Sequence, residues 1–587
     1  MTGVRAGLCL AAALLAGAVV AGACSGGDGD GASTGGDGDE GATIPSTTPS
    51  TAADDDRAPT TAGGAGGSAG GGIEALTCWK APAEGAGGAG DIAFADVTES
   101  YGLVAPLAGL HGHAAAWGDV DDDGRPDLFV GSFADRPEDE YRVRGAPGAG
   151  PDVVLRQGDG AFAPAGLPEV RGRTSGAVFA DLDGDGRLDL VVARNPRDGE
   201  RAAEPTTVYA NRGEGRFEPV AGSGIDPALG GRSIGVLDAD GDGLLDLFVV
   251  EDVYDGGSSR LYRNLGDFRF EDATEAAGLP LDIGGLGLAT GDVNRDGLTD
   301  LFVGGANRLF VGGDDGFREA PGDVFEWRTY GDEDMTAGAV FGDVSGDGWP
   351  DLVVGHHYNS TVDSGRRVPV RLYVNRTGAP GAMPELVDVT EEAGLEGLPT
   401  KAPDVRLVDL DNDGWLDLVT TASADGGAGP AVFRHTGEVV DGVPRFAAPA
   451  GLGDAQYWIS GPVADVDRDG RVDLLLVEWE PALPSLLLRN TSVAGHWLSV
   501  AVGGELGGGV GTRVAAYEPG GAGDDARLVA GGEIVASQGY TSGGEQLAHL
   551  GLGDRTEVDL VVTPPRGDEI VLSAVPVDRH LRLPAGC

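Results

Sequence analysis

The chain has 587 residues, and its 94 Asp and Glu against 41 Lys and Arg give a formal net charge of −53. Such an excess argues against nucleic acid or an anionic membrane surface as a direct partner and makes divalent cations the natural counter-charge. A length prior of roughly one domain per 150 residues suggests about four domains, but an internal repeat overrides it.

At the N-terminus, Arg5 supplies a thin positive region, Leu8 to Val20 an apolar core, and Ala21-Gly22-Ala23 small residues ahead of Cys24. This is the layout of an export signal. Its end resembles a bacterial lipoprotein lipobox, with Ala21 where Leu is usual. The resemblance implies a signal peptide over 1–23, lipidation at Cys24 and a cell-surface protein that meets the membrane only through that anchor; a cleaved signal and a secreted protein is the alternative. No other segment reaches the roughly 18 consecutive apolar residues that span a bilayer. From Ser25 to about Gly72 the chain is Gly, Ser, Thr, Ala, Pro and Asp, too poor in apolar side chains to offset ordering entropy. Residues 24–80 are therefore expected to form a disordered tether. In an exported chain the leftover thiols Cys78 and Cys587 are expected to pair, tying the start of the folded region to its end, with two free thiols as the alternative.

The sequence Asp-x-Asp-x-Asp-Gly-x-x-Asp, or a near variant, then recurs with starts at Asp119, Asp181, Asp238, Asp292, Asp343, Asp409 and Asp465. Each copy runs into a hydrophobic strand, and further short strands and Gly-rich turns follow. In the third unit these are Gly235-Val236-Leu237, the Asp loop, Leu247 to Val250, Arg260 to Asn264 and Phe268 to Ala273. Four short strands at periods of about 50 to 65 residues predict an all-β fold, a seven-bladed β-propeller over 92–490. After the seventh loop no Phe-x-Asp-Val-Thr strand appears, whereas Phe94-Ala95-Asp96-Val97-Thr98 precedes the first loop. The N-terminal strand is thus expected to complete the last blade and close the ring.

Positions 1, 3, 5 and 9 of the loops supply the expected metal ligands. They are Asp119, Asp121, Asp123 and Asp127; Asp181, Asp183, Asp185 and Asp189; Asp238, Asp240, Asp242 and Asp246; and Asp292, Asn294, Asp296 and Asp300. The remaining three sets are Asp343, Ser345, Asp347 and Asp351; Asp409, Asp411, Asp413 and Asp417; and Asp465, Asp467, Asp469 and Asp473. Carboxylates converging on one point repel unless a cation sits there, and all-oxygen ligation on a flexible loop favours Ca²⁺. About seven structural calcium ions are expected, each pinning the turn between a blade's first two strands. An EF-hand is excluded because position 12, where it needs a bidentate Glu, holds Val130, Val192, Val249, Val303, Val354, Thr420 and Leu476. A loop such as Gly118-Asp119-Val120-Asp121-Asp122-Asp123-Gly124 followed by Leu128-Phe129-Val130 resembles the FG-GAP/VCBS repeat of integrin α-subunit propellers and many exported bacterial proteins. That resemblance is specific as to fold and metal and silent as to function.

From residue 491 to 587 the Asp loops stop. His496 to Val500, Gly509 to Val514, Ser537-Gln538-Gly539-Tyr540, Leu550 to Gly553 and Val558 to Val562 follow in an order that resembles the UnbV/ASPIC module of the cartilage acidic protein family. Alternating apolar residues and Gly turns independently predict a small all-β domain. Arg566-Gly567-Asp568 spells an integrin-recognition tripeptide, read as coincidence.

Strand parity assigns function to the face opposite the Asp loops, where the inserts Gly131 to Asp152, Asn195 to Pro205 and Gly355 to Arg367 fall. His111, His113, His356 and His357 map there and are a speculative ligand face, with Tyr101, Trp327 and Tyr330 nearby. No nucleophile set, phosphate loop or zinc motif is visible, so the chain is expected not to be an enzyme. The favoured function is calcium-dependent adhesion to, or recognition of, an extracellular protein or glycan. The alternative is an extracellular enzyme or accessory factor acting on polysaccharide. Oligomeric state is not written in the sequence.

Overall fold

The computed structural model describes residues 73–80, 91–158, 160–195, 204–253, 257–322, 324–325, 334–358, 368–395, 397–398, 401–422, 429–453, 456–503 and 509–584. The signal segment, Cys24, most of the tether, Trp327, Tyr330 and Cys587 lie outside the described residues. What is described is β-strand throughout, with short helices such as Glu138–Val143. Among the described residues no helix is long and apolar enough to cross a membrane.

Seven antiparallel sheets each carry one Asp loop between their first two strands. In the third sheet Gly231–Leu237 pairs with Asp246–Glu251, that strand with Arg260–Asn264, and that one with Phe270–Asp272. The first strand is buried along its whole length and the fourth is exposed at two of its three residues, so burial falls from the inner strand to the outer one. The Leu-Phe-Val runs of the second strands are buried on both faces because another sheet lies against each, which explains why they do not alternate with polar residues. Apolar clusters join each sheet to the next. One holds Phe129 of the first sheet with Phe179 and Leu190 of the second, another Trp458 and Leu474 of the seventh with Val419 of the sixth. Trp117 and Leu128 of the first sheet share a cluster with Leu475 and Val477 of the seventh.

The strand Phe94–Asp96 pairs with Leu486–Asn490, with Phe94 opposite Asn490, so the segment before the first Asp loop supplies the outer strand of the seventh sheet. Small residues let the inner strands approach one another. A Cβ at Gly176 would stand 2.5 Å from the carbonyl oxygen of Arg232 on the neighbouring sheet, a contact side-chain carbons do not make.

The C-terminal region folds as two packed sheets. Thr77–Lys80, Arg579–Leu583, His496–Val502 and Ala548–Gly553 form one; Leu528–Glu533, Arg513–Tyr517, Glu557–Thr563 and Ile570–Pro576 form the other. Leu498, Val500 and Leu581 of the first sheet meet Val514, Leu560 and Val562 of the second in a single core. The expected end of the tether is corrected here. Residues 77–80 are a strand opposite Arg579–Leu581, and Trp79 stacks on His580 at 5.4 Å and lies 5.3 Å from Trp497. Ile73, Leu76 and Trp79 supply the apolar surface that the preceding Gly- and Ser-rich stretch lacks. Cys78 on this strand is disulfide-bonded.

One segment of this module leaves it and enters the hub where the inner strands converge. Ser542–Gly543 pairs in parallel with Gly112–Gly118, Ala115 facing Ser542. Gly539 bridges both Leu288 and Ala339. The Ser537 hydroxyl donates to the Ile234 carbonyl, Thr541 Oγ1 to the His113 carbonyl at 2.9 Å, and Arg406 to the Gln538 carbonyl at 2.7 Å. Ser460 and Ser542 share a hydroxyl contact at 2.6 Å. Residues 537–543 thus touch inner strands of the first, third, fourth, fifth, sixth and seventh sheets. The second is reached at Val178, whose Cα lies 3.2 Å from where a Gly543 Cβ would be.

Candidate metal loops and the opposite cavity

All seven Asp loops share one backbone geometry. The position-6 glycines, Gly124, Gly186, Gly243, Gly297, Gly348, Gly414 and Gly470, have φ between +85° and +96°. This is the left-handed region that glycine enters without a Cβ clash. Each donates its N–H to the position-1 aspartate, as Gly124 does to Asp119 at 2.8 Å. The position-9 aspartate accepts at least two backbone N–H bonds, one from position 2 of its own loop and one from the end of the third strand or just past it. Asp127 takes these from Val120 at 2.9 Å and Gln157 at 2.7 Å, and Asp189, Asp246, Asp300, Asp351, Asp417 and Asp473 repeat the pair.

Carboxylate oxygens at positions 1, 3 and 9 lie within 4.8 Å of one another in five loops: Asp119, Asp121, Asp127; Asp181, Asp183, Asp189; Asp238, Asp240, Asp246; Asp409, Asp411, Asp417; and Asp465, Asp467, Asp473. Each of these acidic clusters could hold a metal ion. In the fourth and fifth loops Asn294 and Ser345 stand at position 3, so three carboxylates do not meet there in the same way. The position-5 aspartates are not part of the convergence. They accept from the position-7 N–H in every loop, and Asp123, Asp185 and Asp469 also pair with the arginine at position 7. Burial, with neighbouring loop carboxylates adding to it and backbone N–H bonds opposing it, pushes Asp127 and Asp417 up to about 8 and Asp189 and Asp246 to about 7. A cation among desolvated carboxylates this close together would favour their ionised forms. The donor set is all oxygen, which suits a hard divalent ion.

A clasp between sheets went unread in the sequence. The side chain that ends the third strand of one sheet donates to the position-2 carbonyl of the preceding loop. Asn211 reaches Val120, Asn264 reaches Leu182, Asn375 reaches Val293 and Asn490 reaches Leu410, each at 2.8 Å. Gln157 of the first sheet reaches Val466 of the seventh loop at 3.0 Å. The signal for it is the recurring Tyr-x-Asn or Leu-x-Asn at the end of these strands.

The C-terminal module sits on this loop face. Arg468 pairs with Glu545 at 2.7 Å, Arg566 with Asp238 at 2.8 Å, Arg582 with Asp122 at 3.2 Å and Arg295 with Asp525 at 3.3 Å. Glu533 accepts the Asp292 N–H at 2.9 Å, and Asn412 accepts the Gly553 N–H through its carbonyl at 2.8 Å. The Arg-Gly-Asp tripeptide is thereby accounted for, since its arginine is a docking contact to the third loop.

At the other ends of the inner strands lies a cavity of about 350 Å³. It takes in two of the four histidines singled out above, His113 and His357, together with Phe133, Trp479 and Tyr457, and Tyr540 of the hub segment also lines it. His111 and His356 are buried beside it instead: His111 packs on Trp479 at 4.1 Å. Desolvation foremost, then the charges of Arg136 and Arg144, lowers His111 to about 3, and burial drives His113 well below the usual range. These imidazoles are neutral wall material at physiological pH. Tyr101 belongs to the core between the seventh and first sheets, 6.1 Å from Phe162, and is not at the hub.

Repeated Asp loops on propeller-like sheets, capped by a two-sheet module, define the class. The model for the FG-GAP-like repeat matches residues 119–192, 193–249, 238–303 and 409–476, and that for the ASPIC and UnbV segment matches 507–586. The chain carries FG-GAP-like repeats and a C-terminal ASPIC/UnbV segment, and it is homologous to cartilage acidic protein 1, which has the same arrangement. It is 26% identical to the Homo sapiens protein of that name over 435 residues, 68% of this chain and 61% of that one, and 25% identical to the Mus musculus protein over 433 residues, 68% and 62% respectively. It therefore spans about three fifths of the length of these relatives. The exotype rhamnogalacturonan lyase YesX overlaps it at a TM-score of 0.36 with 14% identity, covering 65% of this chain and 72% of that one, a likeness too slight to bear on activity.

Proposed function

We propose that the protein is an exported, calcium-stabilised, seven-bladed propeller that recognises an extracellular glycan or protein through the face opposite its Asp loops. The observation that carries this reading is the docking of the C-terminal module. Its ion pairs cover the Asp-loop face and its residues 537–543 fill the hub from that side; the cavity of about 620 Å³ there is walled by loops and module together, whereas the one at the far mouth lies away from the docked module. Closure of seven blades is supported by the clasp from Gln157 to Val466 and by the cluster shared by the seventh and first sheets.

In this reading about seven Ca²⁺ ions, one per loop, bind between positions 1, 3 and 9, with the position-5 aspartate swinging in from its bond to position 7, and they would neutralise desolvated carboxylates and hold the turn under each first strand. Export is supported by the disulfide at Cys78, since such bonds persist in oxidising compartments. The N-terminal signal and a lipid on Cys24 would place the protein at the cell surface. Its role is binding, and its net charge of −53 turns it away from nucleic acid. The full chain, probed on glycan and protein arrays in calcium and again in a chelator, tests this. Binding that requires calcium is expected; an array with no calcium-dependent ligand overturns the reading.

A further inference from the structure

The far cavity is chemically unlike the rest of the chain. Among the described residues, Arg136, Arg173, Arg232 and Lys401 line it with one carboxylate, Asp252, and burial drives its two histidines well below the usual imidazole range. Among the described residues this gathering of four cations is the reverse of a molecule with a net charge of −53. Arg136 also meets Glu140 at 2.8 Å, and Arg232 meets Asp252 at 3.2 Å, so part of this charge is structural. The cations are nonetheless all brought to one place, and each stands on an aromatic ring: Arg136 over Trp479 at 5.0 Å, Arg173 over Phe133 at 4.7 Å, Arg232 over Tyr540 at 5.5 Å and Lys401 over Tyr457 at 5.9 Å. Rings hold the planar guanidinium groups in fixed orientations, which is how a carboxylate is met by a fork of N–H donors.

A second observation concerns Asn195, which is buried in the wall. Its Nδ2 donates to Asp252 at 2.8 Å, while its Oδ1 accepts no hydrogen bond. A buried acceptor left in this state is destabilising unless a donor reaches it. A ligand hydroxyl is such a donor. The size of the cavity, about 350 Å³, falls within the range of small-molecule sites, roughly 300–1,000 Å³.

We propose that this cavity binds a carboxylated saccharide, a hexuronate unit of an acidic glycan. Its carboxylate lies among the guanidinium and ammonium groups, its apolar ring face packs on Trp479 or Tyr457, and a hydroxyl donates to Asn195 Oδ1. This rests on the recognition reading above and names the ligand chemistry for it. A phosphate ligand is a poorer match, because no glycine-rich loop or helix N-terminus lines the cavity among the described residues.

The test uses the full chain in calcium, titrated with digalacturonate, its methyl ester and a neutral disaccharide, followed by calorimetry and tryptophan fluorescence. Digalacturonate is expected to bind and to perturb Trp479 emission, with the ester and the neutral sugar weaker by roughly tenfold or more, the loss of one charge-assisted contact. Lys401→Gln and Arg136→Gln are each expected to weaken digalacturonate by a similar factor while circular dichroism shows the chain folded, whereas Arg212→Gln, remote from the cavity, leaves it as it was. Equal binding of acid and ester overturns the proposal. So does binding of a sulfated disaccharide with none of the uronate. If the arrays give a neutral glycan or a protein ligand and digalacturonate does not bind, the inference fails and the recognition reading stands. If the arrays and the titration are both blank, both fail.

Discussion

Tyr540 is the most informative side chain to change, because it belongs to the C-terminal module by sequence and to the propeller hub by position. It is 1% exposed, packs with Leu286, Ala337 and Ile459, and accepts a hydrogen bond from Arg232 through its hydroxyl. Tyr540→Ala removes the ring from a packed hub and is expected to cost about 3–5 kcal/mol, the usual range for aromatic-to-alanine changes in a core. Tyr540→Phe keeps the ring and removes one bond to a charged donor, worth about 1.5–3 kcal/mol. At about 2.1 cal/mol/K per residue, a folded chain of roughly 500 residues has an unfolding entropy near 1 kcal/mol/K, so the two changes correspond to about 3–5 °C and 1.5–3 °C. Differential scanning calorimetry in saturating calcium would measure both. If Tyr540→Ala melts with the wild type, the hub segment is not seated as described, and the claim that the module occupies the loop face loses its main support.

Three other outcomes follow from the same geometry. Asn490→Ala cuts the clasp to Leu410 and Val472 and leaves two buried carbonyls without that donor, at about 1–3 kcal/mol, and chemical denaturation should show it; Asn490→Asp, which cannot donate, should be no better. Glu478 is buried, and desolvation with the charge of Glu480 raises its carboxyl to about 7 from 4.5. A raised acid binds protons in the fold that the unfolded chain has released, so its stabilising effect is complete below about 4.5 and is lost as pH rises through 7. Glu478→Gln should therefore raise the melting temperature at pH 8, by up to roughly 3 kcal/mol of stability, and leave it unchanged near pH 4.5. Lipid attachment is read by metabolic labelling with a fatty acid: label is expected on the full chain and lost in Cys24→Ser.

Much of this architecture can be read from residues alone because the Asp loop is a strong local signal tied to a fixed place in each sheet. Asp119 to Val130 encodes a turn, its glycine and the strand it feeds, and the period then counts the sheets. The partner of Phe94–Asp96 is legible for a related reason: the seventh unit lacks an outer strand of that pattern and the N-terminus has one to spare. What is not legible depends on long-range geometry. Nothing local distinguishes Asn264, which bridges two sheets, from an asparagine that merely ends a strand. Ser537 to Tyr540 reads as a loop motif, and only the assembled hub shows that its backbone joins the inner strands. Trp79 follows a stretch so poor in apolar residues that composition assigns it to the tether, and only its stacking on His580 shows otherwise. Loop position makes His111 and His113 candidates for a ligand face, whereas inner-strand packing buries both. The metal ligands stand between these cases, since the spacing names them but only the fold shows positions 1, 3 and 9 drawing together and position 5 turned toward its own loop.

Calcium content together with thermal melting tests the central claim most directly. The full chain, dialysed against calcium and analysed for bound metal, is expected to hold about seven ions and to melt well below its calcium-loaded temperature once a chelator removes them. A chain that retains no calcium, or whose melting ignores the chelator, would contradict the account.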